Sequence, residues 1–122
     1  MSRVVHFDLS ADDPQRAAAF YRNVFGWSTE KWDGPADYWL MRTGDAAHPG
    51  VTGGIARRVS PGDSTAVVYD VSSLEEAAAR VVACGGSLRE PKQLLRGVGH
   101  LVACRDTEGN TFCLLQLDPA AV

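Results

Sequence analysis

The sequence contains one structural plan twice. Residues 4–28 and residues 64–88 follow the same order of features in a chain of 122 residues. The first copy begins at Val4-Val5-His6-Phe7-Asp8-Leu9, and the second begins at Ala66-Val67-Val68-Tyr69-Asp70-Val71. Each copy predicts a short apolar strand, a capped helix and a glycine stop. Because ligand sites favour the boundaries between structural units, we expect the functional site at the seam between the two copies.

The predicted helices have clear ends. Asp12 or Asp13 can cap the first helix, Pro14 suits its first turn, and Gly26 suits a left-handed stop. Spacing on the first helix predicts one buried apolar stripe of Ala17, Phe20, Tyr21, Val24 and Phe25. Ser73 and Glu76 are spaced as a capping box for the second helix, which stops at Gly85-Gly86. Its predicted stripe contains Leu74, Ala77, Ala78, Val81 and Val82.

Three further strands are predicted after each helix, at Trp27–Trp32, Tyr38–Thr43, Thr52–Arg58, Ser87–Glu90, His100–Arg105 and Thr111–Leu117. Each half is therefore βαβββ. We expect an α+β fold in which two tandem modules form a curved eight-stranded mixed sheet around a cavity, with the helices on the convex face. The chain is predicted to be one domain, 1–122. Module one covers about 3–59, a linker about 60–64, and module two about 65–118.

Composition excludes several classes of protein. The formal charge of −3 gives no basic surface for nucleic acid. No apolar run approaches the ~20 residues that span a bilayer, and the N-terminus lacks a signal-peptide pattern. The three cysteines, Cys84, Cys104 and Cys113, form no C-x-x-C pair and are interpreted as reduced thiols. We therefore expect a cytoplasmic protein that binds neither nucleic acid nor membranes.

Two motifs resemble those of a known superfamily. One is His6 on the opening strand followed by Asp12-Asp13-Pro14, Phe20-Tyr21 and Phe25-Gly26-Trp27. The other, Asp106-Thr107-Glu108-Gly109-Asn110, resembles a D-P-[DE]-G-N turn before the last strand. Together they resemble the vicinal oxygen chelate superfamily of glyoxalases, bleomycin-resistance proteins and ring-cleaving dioxygenases. This resemblance implies the predicted fold and a homodimer. It does not choose among the activities that the fold carries.

The resemblance also implies four inward-facing positions that hold a divalent metal in metal-dependent members. His6 occupies the first position, and Ala66, which has no donor atom, occupies its counterpart in the second copy. The closing strand of the first half, Thr52–Arg58, contains no His, Asp, Glu, Gln or Cys, and that of the second half offers Gln116. We therefore predict no metal cofactor; the alternative is a divalent metal held by His6 and Gln116.

Strand alternation predicts which residues face the cavity. Phe7 and Leu9 are expected to face the helix, which leaves His6 and Asp8 on the opposite side. Gln116 is expected to face the cavity as well. The predicted ligand-binding residues are aromatic or polar: His6, Asp8, Trp32, Tyr38, Trp39, Arg42, His100, Phe112 and Gln116. Trp32 and Trp39 flank a predicted turn and are expected to lie close together; alternatively, they cover the core or an oligomer interface.

These observations favour a non-catalytic protein that binds or sequesters an aromatic natural product or antibiotic, as bleomycin-resistance proteins do. No catalytic residue is predicted. Three alternatives stay open. One is a metal-dependent lyase, isomerase or dioxygenase with an altered ligand set. Another is a metal-free enzyme that uses His6 or Asp8 as a base. The last is a structural or regulatory subunit whose cavity is closed by side chains.

Overall fold

The computed structural model describes residues 2–45, 47–89 and 91–122. The order of elements repeats as the sequence predicts. The first half contains β1 (Val4–Ala11), α1 (Pro14–Phe25), β2 (Ser28–Lys31), β3 (Tyr38–Arg42) and β4 (Thr52–Arg57). The second half contains β5 (Ala66–Asp70), α2 (Leu74–Ala83), β6 (Ser87–Leu88), β7 (Gln93–Leu95), β8 (Gly99–Arg105) and β9 (Thr111–Leu117). The prediction of an α+β fold with two such modules is confirmed.

Two compact units divide the chain. One is His6–Thr65, and the other combines the residues up to Val5 with Ala66–Val122. In the first unit the strand order is β2-β3-β4-β1, with β1 and β4 parallel. The start of β1 belongs to the second unit, where the backbone of Arg3 exchanges hydrogen bonds with Asp70. The boundary between the two units therefore falls inside β1, between Val5 and His6.

The second unit has an additional strand. Its central strands are β5, β9 and β8, and β5 is parallel to β9. Two short strands follow one another along the outer edge of β8: β6 pairs with Cys104 and Arg105, and β7 pairs with Gly99–Leu101. The predicted strand Ser87–Glu90 is thus shorter, and Glu90 lies outside the described residues. The described residues contain nine strands, not the predicted eight.

Both helices begin at the predicted caps. The Asp13 side chain accepts a hydrogen bond from Arg16 N, and Pro14 occupies the first turn of α1. Gly26 ends α1 with φ 75°, a conformation that favours glycine. Ser73 caps α2 and accepts a hydrogen bond from Glu76 N at 3.3 Å. These features were predictable because caps are local interactions.

The core of the first unit lies between its sheet and α1. Ala11, Ala18, Met41 and Ile55 are buried there, with Phe7, Leu9 and Trp39 among the residues packed against them. The predicted α1 stripe is only partly buried, because Phe20, Val24 and Phe25 are 57%, 54% and 58% exposed. The helix instead contacts this core through Ala17, Ala18 and Tyr21. The prediction of a buried stripe is therefore wrong for three of its five members.

The second unit has two apolar clusters. One packs against α2 and includes Leu74, Val102, Cys104 and Leu114, with Phe112 at its edge. The other contains Ala66, Val68, Cys113 and Leu115. Because residues alternate along β9, the second cluster lies on the sheet face away from α2. That face is apolar in this unit.

The turn that carried part of the resemblance is closed by its aspartate. Asp106 Oδ1 accepts hydrogen bonds from the backbone N–H groups of Glu108 and Asn110, at 2.8 and 2.9 Å. Asn110 Nδ2 donates to Asp106 Oδ2 at 3.0 Å. These hydrogen bonds lower the pKa of Asp106, and the bond from the Asn110 side chain has the largest effect. The motif is therefore a structural device that joins β8 to β9.

Candidate functional site

A polar cluster lies on the sheet face of the first unit that points away from α1. His6 pairs with Thr52 and Asp8 pairs with Gly54 across the parallel strands β1 and β4. Tyr38 enters the same cluster from β3. Phe7 and Leu9 pack on the α1 side, so the predicted orientation of β1 is confirmed.

The Tyr38 hydroxyl links the two side chains of β1. It donates to Asp8 Oδ1 at 2.6 Å and lies 2.7 Å from His6 Nε2. His6 Nε2 is also 3.2 Å from Asp8 Oδ1. The His6 and Asp8 side chains are only 20% and 25% exposed. Sequence reasoning found all three residues but not the bonds between them.

These bonds assign the donor and acceptor roles of His6. Since the Tyr38 hydroxyl donates its hydrogen bond to Asp8, its oxygen is left to accept one from His6 Nε2–H. In the neutral imidazole, His6 Nδ1 is then the acceptor of a hydrogen bond from the Thr52 hydroxyl, whose Oγ1 is 3.4 Å away. The result is a directed chain of hydrogen bonds from Thr52 through His6 and Tyr38 to Asp8.

Two consecutive glycines in β4 make room for aromatic rings on opposite faces. A Cβ at Gly54 would overlap the Tyr38 ring and hydroxyl, and a Cβ at Gly53 would overlap the Phe7 ring. The sequence predicts a close backbone approach or a bulge at this pair, since glycine within a strand is typical of both. The structure shows that an aromatic side chain is the approaching group on each face.

Neighbouring polar contacts fix the start of β3. Arg57 Nε donates to Asp37 Oδ2, and Arg57 N donates to Asp37 O at 3.1 Å. The hydrogen bond from Arg57 lowers the pKa of Asp37, and nearby positive charge adds to this effect. Trp32 N donates to Tyr38 O at 2.9 Å from the neighbouring strand end. The backbone next to Tyr38 is therefore held from both sides.

A cavity of about 340 Å³ adjoins this cluster. Its size falls within the range of about 300–1,000 Å³ that is typical of ligand pockets. Residues from β2, β3 and β4 line it: Ser28, Thr29, Glu30, Leu40, Met41, Arg42, Thr52 and Gly53. Thr52 belongs to both features, since its hydroxyl contacts His6 and its side chain lines the cavity.

The cavity lining contains two charged residues, Glu30 and Arg42. In the part of the chain that the structure describes, the side chains of Glu30 and Arg42 form no hydrogen bond or ion pair. Arg42 was predicted as a ligand-binding residue, whereas Glu30 and Thr52 were not. The signal for Thr52 was its position on β4 opposite His6, but a sequence does not give the register of a parallel pair.

The predicted aromatic lining is partly wrong. Trp39 packs against the core below α1 and lies on the opposite face of β3 from Tyr38. The register pairs Trp39 with Lys31, so the two tryptophans do not meet across the hairpin. Trp32 instead contacts the Tyr38 ring edge-on, with centroids 6.2 Å apart and planes at 87°. Trp32 and Tyr38 are therefore the aromatic pair of this face.

The predicted site residues of module two lie on the face that packs against α2. Phe112 contacts the α2 cluster. Gln116 Oε1 accepts a 2.8 Å hydrogen bond from Leu74 N, at the start of α2. His100 pairs with Gln116 across β8 and β9, and its Nε2 is 3.6 Å from Asp118 Oδ2. The expectation that Gln116 faces a cavity is wrong, because its face of β9 is the helix face.

The donor atoms present do not fit the metal that the resemblance implies. Both ring nitrogens of His6 are hydrogen-bonded, and the Gln116 carbonyl is occupied by a backbone N–H. Within residues 2–45, 47–89 and 91–122, no group of three or more His, Cys, Asp or Glu side chains could hold a metal ion.

Two tandem modules of one plan, βαβββ in the first and with one additional strand in the second, together with His6 on the opening strand, define a member of the vicinal oxygen chelate superfamily. The family model of the glyoxalase-like domain matches residues 4–115. The chain therefore belongs to the glyoxalase-like family. No curated protein sequence matches it.

Solved structures share the fold at low identity. Methylmalonyl-CoA epimerase from Mycobacterium tuberculosis is 15% identical, with a TM-score of 0.67, over 95% of this chain and 88% of that one. The Streptomyces coelicolor enzyme in complex with 2-nitronate-propionyl-CoA is 14% identical, with a TM-score of 0.67, over 98% and 97%. A hypothetical protein from Bacillus halodurans C-125 is 12% identical, with a TM-score of 0.70, over 99% and 98%. At these identities the likeness establishes the fold alone.

None of the helices in the described residues has the length and apolar character needed to cross a membrane.

Proposed function

We propose that this protein binds a small organic molecule in the cavity of module one without converting it. The observation that carries the proposal is the cavity itself, where Arg42 offers hydrogen-bond donors and the Thr52 hydroxyl oxygen can accept, beside a locked His6–Tyr38–Asp8 cluster. A pocket with a few convergent polar groups is the usual form of a small-molecule site. Trp32, in edge contact with Tyr38, supplies an aromatic surface beside this cluster and outside the cavity lining.

The ligand that suits this face combines an aromatic part with a polar or charged group. A well-placed aromatic contact contributes about 0.5–1.5 kcal/mol beyond burial. Because Trp39 is committed to the core, the aromatic preference depends on Trp32 and Tyr38. Sequestration of an aromatic natural product or antibiotic is the role we propose, in a cytoplasmic homodimer. Light scattering of the purified protein measures the dimer directly.

The test is a titration of aromatic compounds followed by tryptophan fluorescence. We expect quenching in the wild-type protein, a weaker affinity in Arg42→Met, and loss of most of the signal in Trp32→Phe. Arg16→Met is the matched control, because Arg16 is an exposed arginine on α1 and its replacement should leave the ligand affinity unchanged. A folded protein that no compound of a broad panel quenches would contradict the proposal.

A metal-dependent activity is the competing hypothesis, and the donor geometry opposes it. If it were correct, purified protein would carry close to one equivalent of a divalent metal, and His6→Ala would remove it. Elemental analysis of both proteins decides the matter. Stoichiometric metal that disappears in His6→Ala would replace our proposal with this one.

One observation favours a second candidate, a metal-free enzyme that moves protons. Tyr38 lies between a histidine and a carboxylate, an arrangement in which the Tyr38 hydroxyl can pass its proton to Asp8 as its oxygen takes a proton from a bound substrate, while His6 Nε2–H keeps its proton and hydrogen-bonds to that oxygen. This candidate predicts that Tyr38→Phe keeps ligand affinity and loses turnover of the bound compound. Mass spectrometry of the compound after incubation detects such turnover, and an unchanged compound supports simple binding.

A further inference from the structure

The cavity of module one presents one positive and one negative side chain on the same face. Ser28 is directly opposite Arg42 and Glu30 is directly opposite Leu40 in the antiparallel pair β2–β3. Glu30 and Arg42 are therefore diagonal neighbours, a relation that separates backbone positions by about 7–8 Å. Both line the cavity.

These two charges do not neutralise each other. The side chains of Glu30 and Arg42 form no ion pair within the described residues, although both are long enough to approach one another. The cavity lining places Leu40 with them, directly across from Glu30 and two positions before Arg42. An exposed ion pair is worth about 0–1 kcal/mol, so these charges gain little from pairing directly. A ligand that contacts both side chains therefore has no strong ion pair between them to break.

The other ionisable groups of this face are already engaged. His6 and Asp8 share the Tyr38 hydroxyl, and the Thr52 hydroxyl reaches His6. Arg42 is the cationic donor that faces the cavity, with five N–H groups that match a carboxylate. Glu30 supplies the corresponding acceptor for a protonated amine.

We propose that the cavity selects a zwitterion, with a carboxylate held by Arg42, a protonated amine held by Glu30 and an apolar part against Leu40. This inference rests on the proposed binding function and names the chemical class of its ligand. Both charges are supplied by exposed side chains that have no protein partner among the described residues. The expected preference is therefore for molecules of the amino-acid type over those with one charge.

The experiment compares four aromatic probes by calorimetric titration at low salt. The probes are free L-phenylalanine, hydrocinnamate, phenethylamine and indole, which carry both charges, the carboxylate only, the amine only and no charge. We expect the zwitterion to bind about tenfold more tightly than either singly charged probe, as one charge-assisted hydrogen bond provides. Added salt should reduce this advantage, because exposed charges are screened.

Two variants assign the charges separately. Arg42→Met should weaken binding of L-phenylalanine and hydrocinnamate about tenfold and leave phenethylamine unchanged. Glu30→Gln should weaken L-phenylalanine and phenethylamine and leave hydrocinnamate unchanged. Arg16→Met and Glu76→Gln are matched controls on the exposed surfaces of α1 and α2.

The outcomes separate the inference from the function on which it rests. If indole or a singly charged probe binds as tightly as L-phenylalanine, the zwitterion preference is wrong and the binding function stands. If none of the four probes binds to the folded protein, the zwitterion inference is overturned. If the broad aromatic panel also fails to quench tryptophan fluorescence, the binding function is overturned with it.

Discussion

The Tyr38 hydroxyl donates a 2.6 Å hydrogen bond to Asp8 Oδ1 from a strand that is not adjacent to β1. The ring reaches across β4, and it does so at Gly54, where any side chain would occupy the same space. One phenol thereby joins the two polar residues of β1 to β3. The polar cluster on this sheet face therefore depends on Gly54, because only a residue without a side chain leaves room for the Tyr38 ring.

Removal of the Tyr38 hydroxyl should cost stability. In Tyr38→Phe, Asp8 and His6 each lose a hydrogen-bond partner in a half-buried setting, and we expect a loss of about 1–2 kcal/mol in the free energy of unfolding. Urea denaturation measures this loss. Tyr69→Phe is the control, since no hydrogen bond of its hydroxyl is present in the described residues. Equal stabilities for the two variants would contradict the role of the Tyr38 hydroxyl.

A methyl group at Gly54 should displace the Tyr38 ring. We expect Gly54→Ala to lower the free energy of unfolding by about 1–3 kcal/mol, as overpacking does, and to weaken ligand binding. Gly50→Ala is the matched control, because a Cβ at Gly50 meets open space. Thermal denaturation compares the two. If Gly54→Ala were as stable as Gly50→Ala, the Tyr38 ring could leave the cluster without lowering the free energy of unfolding.

The sequence predicted what local interactions determine. Asp13, Gly26 and Ser73 act at helix ends through contacts within a few residues, so their roles were readable from spacing alone. Alternation along β1 correctly separated His6 and Asp8 from Phe7 and Leu9, because the apolar pair had an adjacent helix to pack against. The internal repeat correctly predicted two modules of the same plan.

Most of the errors concern relations that alternation leaves undetermined. Phe112, Leu114 and Gln116 do share one face of β9, but their spacing does not tell which face meets α2. Trp39 was misplaced although alternation alone excludes it: it directly follows Tyr38 in β3, so the two side chains lie on opposite faces of the sheet. Thr52 was missed because the pairing of β1 with β4 joins residues that are far apart in sequence.

The Arg57–Asp37 contact should give the protein an acid-sensitive component of stability. The pKa of Asp37 in the folded protein is lowered from its ordinary value of 3.8, mainly by the hydrogen bond from Arg57. A lowered carboxyl pKa contributes stability above the unfolded value, which is lost as the pH falls through the folded value. We therefore expect Asp37→Asn to be less stable than wild type at neutral pH and equally stable in strong acid.

Denaturation curves of wild type and Asp37→Asn between neutral pH and the acid limit test this expectation. Asp33→Asn serves as the control, because the Asp33 side chain forms no hydrogen bond within the described residues. Its stability should follow that of the wild type at every pH. If the stability difference between wild type and Asp37→Asn were the same at every pH, the charge of Asp37 would not contribute to stability.

Gln116 should behave as a helix-capping residue and not as a metal ligand. Gln116→Met leaves Leu74 N without its acceptor, and we expect a loss of about 1 kcal/mol in the free energy of unfolding. Gln116→Glu retains an acceptor and adds a negative charge at the N-terminus of α2, which is favourable by about 0.3–1 kcal/mol. It should therefore be at least as stable as wild type, and neither variant should change the metal content. A rise in bound divalent metal in Gln116→Glu, found by elemental analysis, would show that this side chain reaches the face of His6 and would restore a metal centre as the explanation of the site.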